Sequence, residues 1–280
     1  MTVELRYITD PACEWSWGNE PKLRRLTWEF GEELSVRLVM GGLARSLDSG
    51  DHAAHLAGWL EAAGETGMPC DPRVWLWNPI SSTYPACQAV RAACEQGPEA
   101  GVRYLRRLRE GLFCERKRLD HAEALLAEAG PAGLDRARFE IDLRSHAITE
   151  GFGADLEETR TPGDQARAAG KVSALSSGEE RFVFPSAVFL AADAERLTVL
   201  GSQPYEAYRE AALAAGAEPA DDRSAEPLQA LERFGRCATR EIEELSGRAR
   251  PLVEAELWSL AREWRVRAIP VLTGMLWELA

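Results

Sequence analysis

The sequence is short of positive charge and contains no long apolar run. Lys and Arg number 33 against 45 for Asp and Glu, so the formal net charge is −12. A protein that coats nucleic acid or an anionic membrane needs a basic surface, and this charge argues against both. A membrane-spanning helix needs roughly 20 consecutive apolar residues, and no stretch approaches that length. We therefore expect neither a nucleic-acid partner nor a membrane partner.

Cysteine is also scarce, and its spacing is irregular. No two of the six cysteines show the paired spacing of a disulfide framework or a zinc site. The N-terminus lacks the basic segment and apolar stretch of a secretory signal. We therefore expect reduced thiols in the cytoplasm. The cysteines are Cys13, Cys70, Cys87, Cys94, Cys114 and Cys237.

The first 44 residues predict a strand, a helix and a second strand. Residues 3–9 and 34–40 alternate between apolar and polar side chains, and residues 17–31 have helical periodicity. Gly41 and Gly42 end the second strand. A strand–helix–strand unit of this length implies parallel pairing through a right-handed crossover.

Helical patterns follow, and strand character then returns. Residues 181–190, interrupted by Pro185, and residues 197–200 together predict a hairpin, and residues 203–216 predict a helix. The candidate helices before this hairpin are 53–63, 86–95, 101–117, 121–129 and 135–148. We therefore expect an α/β domain, discontinuous over residues 1–44 and 179–216, with an all-helical insertion at residues 45–178.

The C-terminal part predicts a separate module. Residues 217–226 have the composition of a linker, and we place the module at residues 227–280. It has helical patterns at 234–245 and 251–264 and a hairpin pattern at 266–279. This order resembles a small winged helix. Because Glu and Arg are mixed along it, we favour a packing or interface module over DNA binding.

Cys13 is the most informative residue of the chain. It follows the first strand and the break Asp10-Pro11-Ala12, and it precedes a helical pattern. A cysteine at the start of a helix lies near unpaired N–H groups and the positive end of the helix dipole. These groups favour the thiolate, which is the nucleophilic form. The alternative is a small, buried and inert cysteine.

Ser16 stands where a redox motif Cys-x-x-Cys would have its second cysteine. A single thiol cannot close its own disulfide through that position. A mixed disulfide on Cys13 would have to be cleared by a low-molecular-weight thiol or by another cysteine. Cys87 is the candidate for that second role. The alternative is that Cys87 and Cys94 point into the core of the insertion, as Cys70, Cys114 and Cys237 are expected to do in their own surroundings.

Several stretches resemble the DsbA family of thioredoxin-like proteins, over about residues 1–215. The first looks like the Asp-Pro-x-Cys-x-x-Cys-Trp-x-x-Glu-Pro stretch of cytoplasmic DsbA-like and FrnE-like proteins, with Ser16 departing from it. The stretches are Asp10-Pro11-Ala12-Cys13-Glu14-Trp15-Ser16-Trp17-Gly18-Asn19-Glu20-Pro21, Met40-Gly41-Gly42-Leu43, residues 77–90 with Ser81-Ser82-Thr83-Tyr84-Pro85-Ala86-Cys87, and Phe184-Pro185-Ser186.

The resemblance implies a thioredoxin-like fold and assigns roles to residues around Cys13. Cys13 would be the nucleophile, and Ser16 would hydrogen-bond its thiolate, orient a ligand thiol or simply cap the helix. Pro185 would be the cis-proline that faces the cysteine. Trp15 and Trp17 would form an apolar platform for substrate or pack in the core. Phe184 and Ser186 would bind substrate beside Pro185.

Two further patterns have weaker functional interpretations. His52 and His55 lie three residues apart on a predicted helix and could bind a metal with Asp51, but no second pair of ligands accompanies them. We therefore expect no metal. An arginine-rich run is expected to be a solvated helix face, or else a surface for an acidic thiol or protein. Its members are Arg103, Arg106, Arg107, Arg109, Arg116 and Arg118.

The sequence supports three candidate functions. The first is a thiol–disulfide oxidoreductase that uses Cys13 alone on protein thiols or mixed disulfides. It has no cofactor, or uses glutathione, mycothiol or bacillithiol as co-substrate. The second is a non-catalytic adaptor or chaperone-like module with a protein partner, since the resembling family includes an adaptor for a cytosolic protease. The third is a glutathione-type isomerase or transferase.

Overall fold

A mixed four-stranded sheet forms the centre of the first part of the molecule. The computed structural model describes residues 2–47, 50–175, 178–190, 196–220 and 224–280. The sheet has the order β2-β1-β5-β6. The strands are β1 (Val3–Thr9), β2 (Leu34–Met40), β3 (Val172–Ala174), β4 (Glu180–Phe182), β5 (Ser186–Leu190), β6 (Arg196–Leu200), β7 (Cys237–Ala238), β8 (Val266–Val271) and β9 (Gly274–Leu279).

Helices surround this sheet and fill most of the chain between β2 and β3. A 3₁₀ turn follows α2 at Gly31–Glu33, and a π-helical turn follows α6 at Glu110–Cys114. The helices are α1 (Glu14–Gly18), α2 (Glu20–Phe30), α3 (His52–Thr66), α4 (Val74–Trp77), α5 (Tyr84–Cys94), α6 (Pro98–Arg109), α7 (Ala122–Ala127), α8 (Arg136–Leu143), α9 (His146–Thr159), α10 (Asp164–Ala168), α11 (Tyr205–Ala214), α12 (Pro227–Phe234), α13 (Thr239–Ser246) and α14 (Arg250–Arg262).

The central strand β1 is buried because it is paired on both sides. Tyr7 lies opposite Leu38 in the parallel neighbour and opposite Ala187 in the antiparallel one. Its apolar residues Leu5, Tyr7 and Ile8 are almost fully excluded from solvent. The parallel pair β1–β2 and the hairpin β5–β6 in one sheet confirm the thioredoxin-like fold that the resemblance predicts.

The helical region differs in detail from the sequence-based prediction. The expected helix 135–148 is divided between α8 and α9. Ser145 is the N-cap of α9, where its side chain accepts a hydrogen bond from the Ala147 amide. The expected helix 101–117 ends as α6 at Arg109 and continues as the π-helical turn. The region is also not all helical, since β3 pairs with β4 in a small antiparallel ladder.

The C-terminal module has the order α12-β7-α13-α14-β8-β9, with the sheet order β7-β9-β8. The hairpin at 266–279 is where the sequence predicts it. The helix expected at 234–245 is interrupted, because α12 stops at Gly235, with φ 69°, and β7 precedes α13. Of the predicted linker, residues 221–223 lie outside the described residues. Trp277 anchors the module, fully buried, with its Nε1 donating to Thr239 Oγ1 at 2.9 Å.

A buried network of ion pairs connects this module to the rest of the chain. Glu241 of α13 is fully buried and accepts hydrogen bonds from Arg106 Nη1 and Nη2 at 2.7 and 3.0 Å. Arg24 of α2 lies 3.1 Å from the same carboxylate. Arg109, also fully buried, pairs with Glu20. One carboxylate of the C-terminal module thus compensates guanidinium groups from two other parts of the fold.

This network corrects the expectation of a solvated arginine face. Arg109 is buried, and Arg106 and Arg107 keep only 11% and 13% of their side chains exposed. Their partners are carboxylates of the same chain, contributed by α2, the helical region and the C-terminal module. Only the outer members of the run, Arg103, Arg116 and Arg118, are substantially exposed among these arginines.

We predict that Glu241→Gln destabilises the whole chain. The substitution removes the carboxylate that pairs with the covered Arg24 and leaves Arg106 with only Glu20 and Glu110. Loss of one partner of a buried pair costs about 3 kcal/mol or more. Denaturant unfolding measures the difference. Glu263→Gln, on an exposed ion pair, is the matched control and should change stability by less than about 0.5 kcal/mol. Equal effects of the two substitutions would contradict the role given to Glu241.

Asp155 of α9 holds the end of β2. Its Oδ2 accepts a hydrogen bond from the Met40 amide at 3.0 Å and lies 3.6 Å from Arg91 Nε. The side chain is buried, and this burial raises the pKa of Asp155 to about 6 although Arg91 and the Met40 amide oppose the shift. The folded chain therefore binds a proton more tightly than the unfolded chain does.

Because the pKa of Asp155 is raised on folding, we predict that its contribution to stability falls as the pH rises from about 4 to about 6. Asp155→Asn removes this slope and is more stable than the native chain at pH 7 by about 1–3 kcal/mol, with the difference fading below about pH 4. Chemical unfolding across this range tests the prediction, with the exposed Asp164→Asn as control. A slope that is unchanged in Asp155→Asn would refute it.

Candidate functional site

Cys13 lies at the N-terminus of α1, directly after the loop that follows β1. Its amide donates to Asp10 O at 3.3 Å, and its carbonyl accepts the first helical hydrogen bond from Trp17 at 3.0 Å. The Sγ atom donates to Phe184 O at 3.9 Å. Only 4% of the residue is exposed. The thiol is thus held against the segment that precedes β5.

That segment contains a cis peptide bond between Phe184 and Pro185. Pro185 is buried, and Phe184 contributes both the carbonyl that faces Cys13 and a ring that lines the adjacent cavity. Ser186 is used differently from the sequence-based expectation of substrate binding. Its Oγ is buried, donates to Val183 O at 2.8 Å and accepts from the Gly201 amide at 3.2 Å. Its hydroxyl therefore fixes the turn, and its one proton is already donated to Val183 O.

Burial raises the pKa of the Cys13 thiol to about 12. The neighbouring Glu14 carboxylate also raises it, while the hydroxyl and amide of Ser16 lower it. This is the opposite of the stabilised thiolate predicted from the helix start. The reason is that the thiol is buried, so that desolvation of the thiolate outweighs the hydrogen bonds that would stabilise it.

Ser16 is fully buried, and its Oγ has no hydrogen-bond partner of normal geometry in the described part of the chain. The hydroxyl does not cap α1, since Cys13 rather than Ser16 occupies the N-cap position. The simple capping role is therefore absent. The pair Cys13 and Ser16 offers one thiol and one hydroxyl, both shielded from solvent.

Asp10 organises the loop before Cys13, although it was not among the site residues predicted from the sequence. Its Oδ1 accepts from the Ala12 amide at 2.8 Å, and its Oδ2 accepts from the Leu43 amide at 2.6 Å and Thr83 Oγ1 at 2.8 Å. The Asp-Pro start of the resembling stretch was the available signal. One carboxylate thus ties β1, the exit of β2 and the start of α5 together.

Cys87 donates its thiol to the same carboxylate, with Sγ 3.2 Å from Asp10 Oδ2. It is fully buried, and burial together with Asp10 holds the pKa of Cys87 well above its usual range. This geometry favours a structural cysteine over a resolving one. Cys70 and Cys237 are buried as well, whereas Cys94 and Cys114 are only partly covered.

The two tryptophans beside Cys13 have different surroundings. Trp17 is 2% exposed, stacks on Phe113 with ring centroids 5.7 Å apart, and donates its Nε1 to Pro69 O at 2.9 Å. It is a core residue and does not line the cavity, so it cannot form the expected platform. Trp15 is half-buried and does line the cavity.

A cavity of about 450 Å³ opens beside Cys13, between the sheet domain and the helical region. Aromatic rings dominate the wall that α3 and α4 contribute: Trp59 meets Trp75 edge-on at 5.4 Å, and His55 stacks on Trp75 at 4.5 Å. The residues that line it are Ala12, Cys13, Glu14, Trp15, Leu43, Ala44, Leu47, His55, Trp59, Trp75, Ile80, Thr83, Ser173, Arg181, Val183 and Phe184.

Arg181 and Trp75 are cavity residues that sequence reasoning missed. Arg181 is 9% exposed, with its guanidinium carbon 4.2 Å from the centre of the Phe184 ring.

His52 and His55, the candidate metal ligands, both lie against the Trp75 ring. In the described ranges, no cluster of three or more His, Cys, Asp or Glu side chains has metal-binding geometry. Across those ranges, no helix is both long and apolar enough to span a membrane.

We predict that Cys13 reacts slowly with iodoacetamide at neutral pH. Because its pKa is about 12, the alkylation rate should keep rising up to pH 10 without a plateau. Site-resolved mass spectrometry measures the rate. The chain unfolded in urea is the control, and its rate should be half-maximal near the ordinary thiol pKa of about 8.5. A folded-state plateau below pH 8 would show a stabilised thiolate instead.

Comparison with solved structures supports the fold. A putative protein disulfide isomerase from Nitrosomonas europaea superposes with a TM-score of 0.61 at 22% identity, covering 75% of this chain and 96% of that one. The cytosolic disulfide reductase DsbM from Pseudomonas aeruginosa gives 0.57 at 22% identity, covering 75% and 98%. A probable DsbA oxidoreductase from Streptomyces coelicolor gives 0.54 at 20% identity, covering 80% and 95%.

Curated relatives extend the similarity to the C-terminal module. The ClpXP adapter protein SpxH of Bacillus subtilis is 27% identical over 282 residues, covering 99% of this chain and 89% of the relative. SpxH of Halalkalibacterium halodurans is 34% identical over 168 residues, so this match spans 56% of the chain and about half (54%) of that relative.

A family model covers part of β1, all of β2 and most of the helical region. The model described as thioredoxin matches residues 7–162, which is more than half of the sequence. The chain therefore belongs to the thioredoxin family, with DsbA-like oxidoreductases among its structural neighbours.

Proposed function

We propose that this chain is a cytoplasmic protein-binding adaptor on a DsbA-like fold, which delivers a client protein to a ClpXP-type protease. The observation that carries the proposal is the state of Cys13. Its thiol is buried, hydrogen-bonded to Phe184 O and protonated at neutral pH, with Ser16 in place of a second cysteine. A disulfide enzyme needs a thiolate and a way to release its mixed disulfide.

The match to relatives along their length supports the same proposal. Proteins named ClpXP adapter SpxH align over 99% of this chain, including the C-terminal module. That module is joined to the remainder of the fold through the buried pair of Arg106 and Glu241. In an adaptor, such a module would supply a surface for one partner protein in addition to the surface of the sheet domain.

A thiol–disulfide oxidoreductase that acts through Cys13 alone is the second candidate. The cavity favours it, since Cys13 lines a space of about 450 Å³ that can admit a small thiol or a peptide. In this alternative, an incoming thiolate would attack a mixed disulfide formed on Cys13 and restore the Cys13 thiol.

The two candidates predict opposite effects of Cys13→Ser. Client proteins are first identified as those whose half-life lengthens when the chain is deleted from cells. Purified client, ClpXP and this chain are then combined, and the degradation rate is measured. For an adaptor, the chain accelerates degradation and Cys13→Ser accelerates it equally, because the serine keeps the size and hydrogen bonding of the residue.

A second assay identifies the oxidoreductase. The native chain and Cys13→Ser are each tested for reduction of a glutathione mixed disulfide of a model protein. Turnover by the native chain that disappears in Cys13→Ser, without any effect of the chain on ClpXP degradation, would replace the adaptor by the oxidoreductase. Cys94→Ser serves as the matched control, since it removes a partly covered thiol that does not line the cavity and leaves Cys13 in place.

A further inference from the structure

Two buried hydrogen-bond donors at the cavity have no acceptor. Arg181 Nε and Trp75 Nε1 are both excluded from solvent, and neither has a hydrogen-bond partner among the described residues. Both side chains line the cavity beside Cys13. A buried donor without an acceptor is destabilising and is rare in folded proteins. The two residues therefore mark a part of the cavity wall whose polar groups are not fully compensated within the described chain.

Arg181 is exceptional among the covered arginines of this chain. Arg24, Arg106 and Arg109 each lie within 3.5 Å of a glutamate carboxylate. Arg181 is 9% exposed and has no carboxylate within ion-pair distance in the part of the chain that the structure describes. The Phe184 ring, 4.2 Å away, offsets part of the cost through a cation–π contact. A buried cation still requires an anion for full compensation.

The remaining cavity wall is suited to an apolar group. Trp59, Trp75 and Phe184 present rings, and Leu43 and Ile80 present aliphatic side chains. The volume of about 450 Å³ falls within the range of small-ligand sites. Apolar walls with one unpaired guanidinium favour a ligand that is mostly apolar and carries one negative group. Arg binds planar carboxylates through two parallel N–H donors, and the Nη groups of Arg181, unlike its Nε, are not fully enclosed.

We propose that this cavity binds a carboxylate carried on an aromatic or aliphatic group, with the carboxylate paired to Arg181 and the apolar group lying against the rings of Trp59 and Phe184. Glu14 is the lining residue that would repel an anion placed elsewhere in the cavity, so the carboxylate is confined to the Arg181 side. This site goes beyond the adaptor role and does not depend on it.

Two simple probes that differ only in charge test the site. We would titrate 3-phenylpropionate and 3-phenylpropionamide separately into the ¹⁵N-labelled full-length chain and follow the Trp75 Nε1–H and Arg181 Nε–H signals by NMR. Trp75→Phe and Arg181→Lys assign these signals. The carboxylate should shift both signals in a saturable way, and the amide should bind about tenfold or more weakly. Equal binding of the two probes, or no shift with either, would overturn the proposal.

Variants locate the interaction at Arg181. Arg181→Lys keeps the positive charge but lacks the Nε donor, and Arg181→Met removes both. We expect the affinity for 3-phenylpropionate to fall with Arg181→Lys and further with Arg181→Met. Arg136→Met, on an exposed residue outside the cavity, should leave the affinity unchanged. If Arg181→Met does not fold, the two probes in the native chain still decide the outcome.

A third probe separates a protein segment from a free small molecule as the source of the carboxylate. N-acetyl-Ala-Phe with a free C-terminal carboxylate is compared with 3-phenylpropionate. Tighter binding of the dipeptide assigns the site to the end of a polypeptide, and tighter binding of 3-phenylpropionate assigns it to a small molecule. If ClpXP degradation is unaffected by the chain while the carboxylate still binds, the adaptor role fails and the site stands.

Discussion

A buried carboxylate in the last quarter of the chain holds together parts that are far apart in sequence. Glu241 neutralises Arg106 of the helical region and Arg24 of the helix behind the sheet. Charges at this depth are costly to bury singly and acceptable only as pairs with good hydrogen-bond geometry. The position of α2, which follows directly after the Cys13 helix, therefore depends on a residue of the C-terminal module. Because α2 follows the helix of Cys13, the surroundings of Cys13 also depend on Glu241.

The site combines a DsbA-like scaffold with a buried thiol whose pKa is raised by burial. The loop between β1 and α1 is fixed by Asp10, which binds the exit of β2 and the start of α5. Cys13 lies in that loop as a redox cysteine of this fold would, yet burial raises its pKa to about 12. The scaffold therefore positions the Cys13 thiol at the start of a helix, but burial disfavours its thiolate form. Such a scaffold can serve recognition, because the cavity, the rings and Arg181 remain beside the thiol.

Local features of the fold could be predicted from the sequence, whereas distant pairings could not. The strands at 3–9 and 34–40 and the hairpin at 266–279 carry alternation and turn glycines within a few residues. The burial of Arg106 could not be predicted, because its partner Glu241 lies 135 residues further on. The core position of Trp17 and the cavity position of Arg181 could not be predicted either. Trp17 packs on Phe113, which is distant in sequence, and Arg181 reaches the cavity from a strand whose pattern gave no functional signal.

The shared charges also determine what a truncated protein would be. A chain ending after α11 would retain Arg24 and Arg106 but lose Glu241, so excess positive charge would remain in a formerly covered interface. The C-terminal module alone would keep Glu241 without either arginine. Neither fragment is then a simple subset of the whole. The two parts resemble complementary subunits that are covalently joined. A deletion of either part would damage the interface of the other, so a loss of activity after deletion could not be assigned to the deleted part.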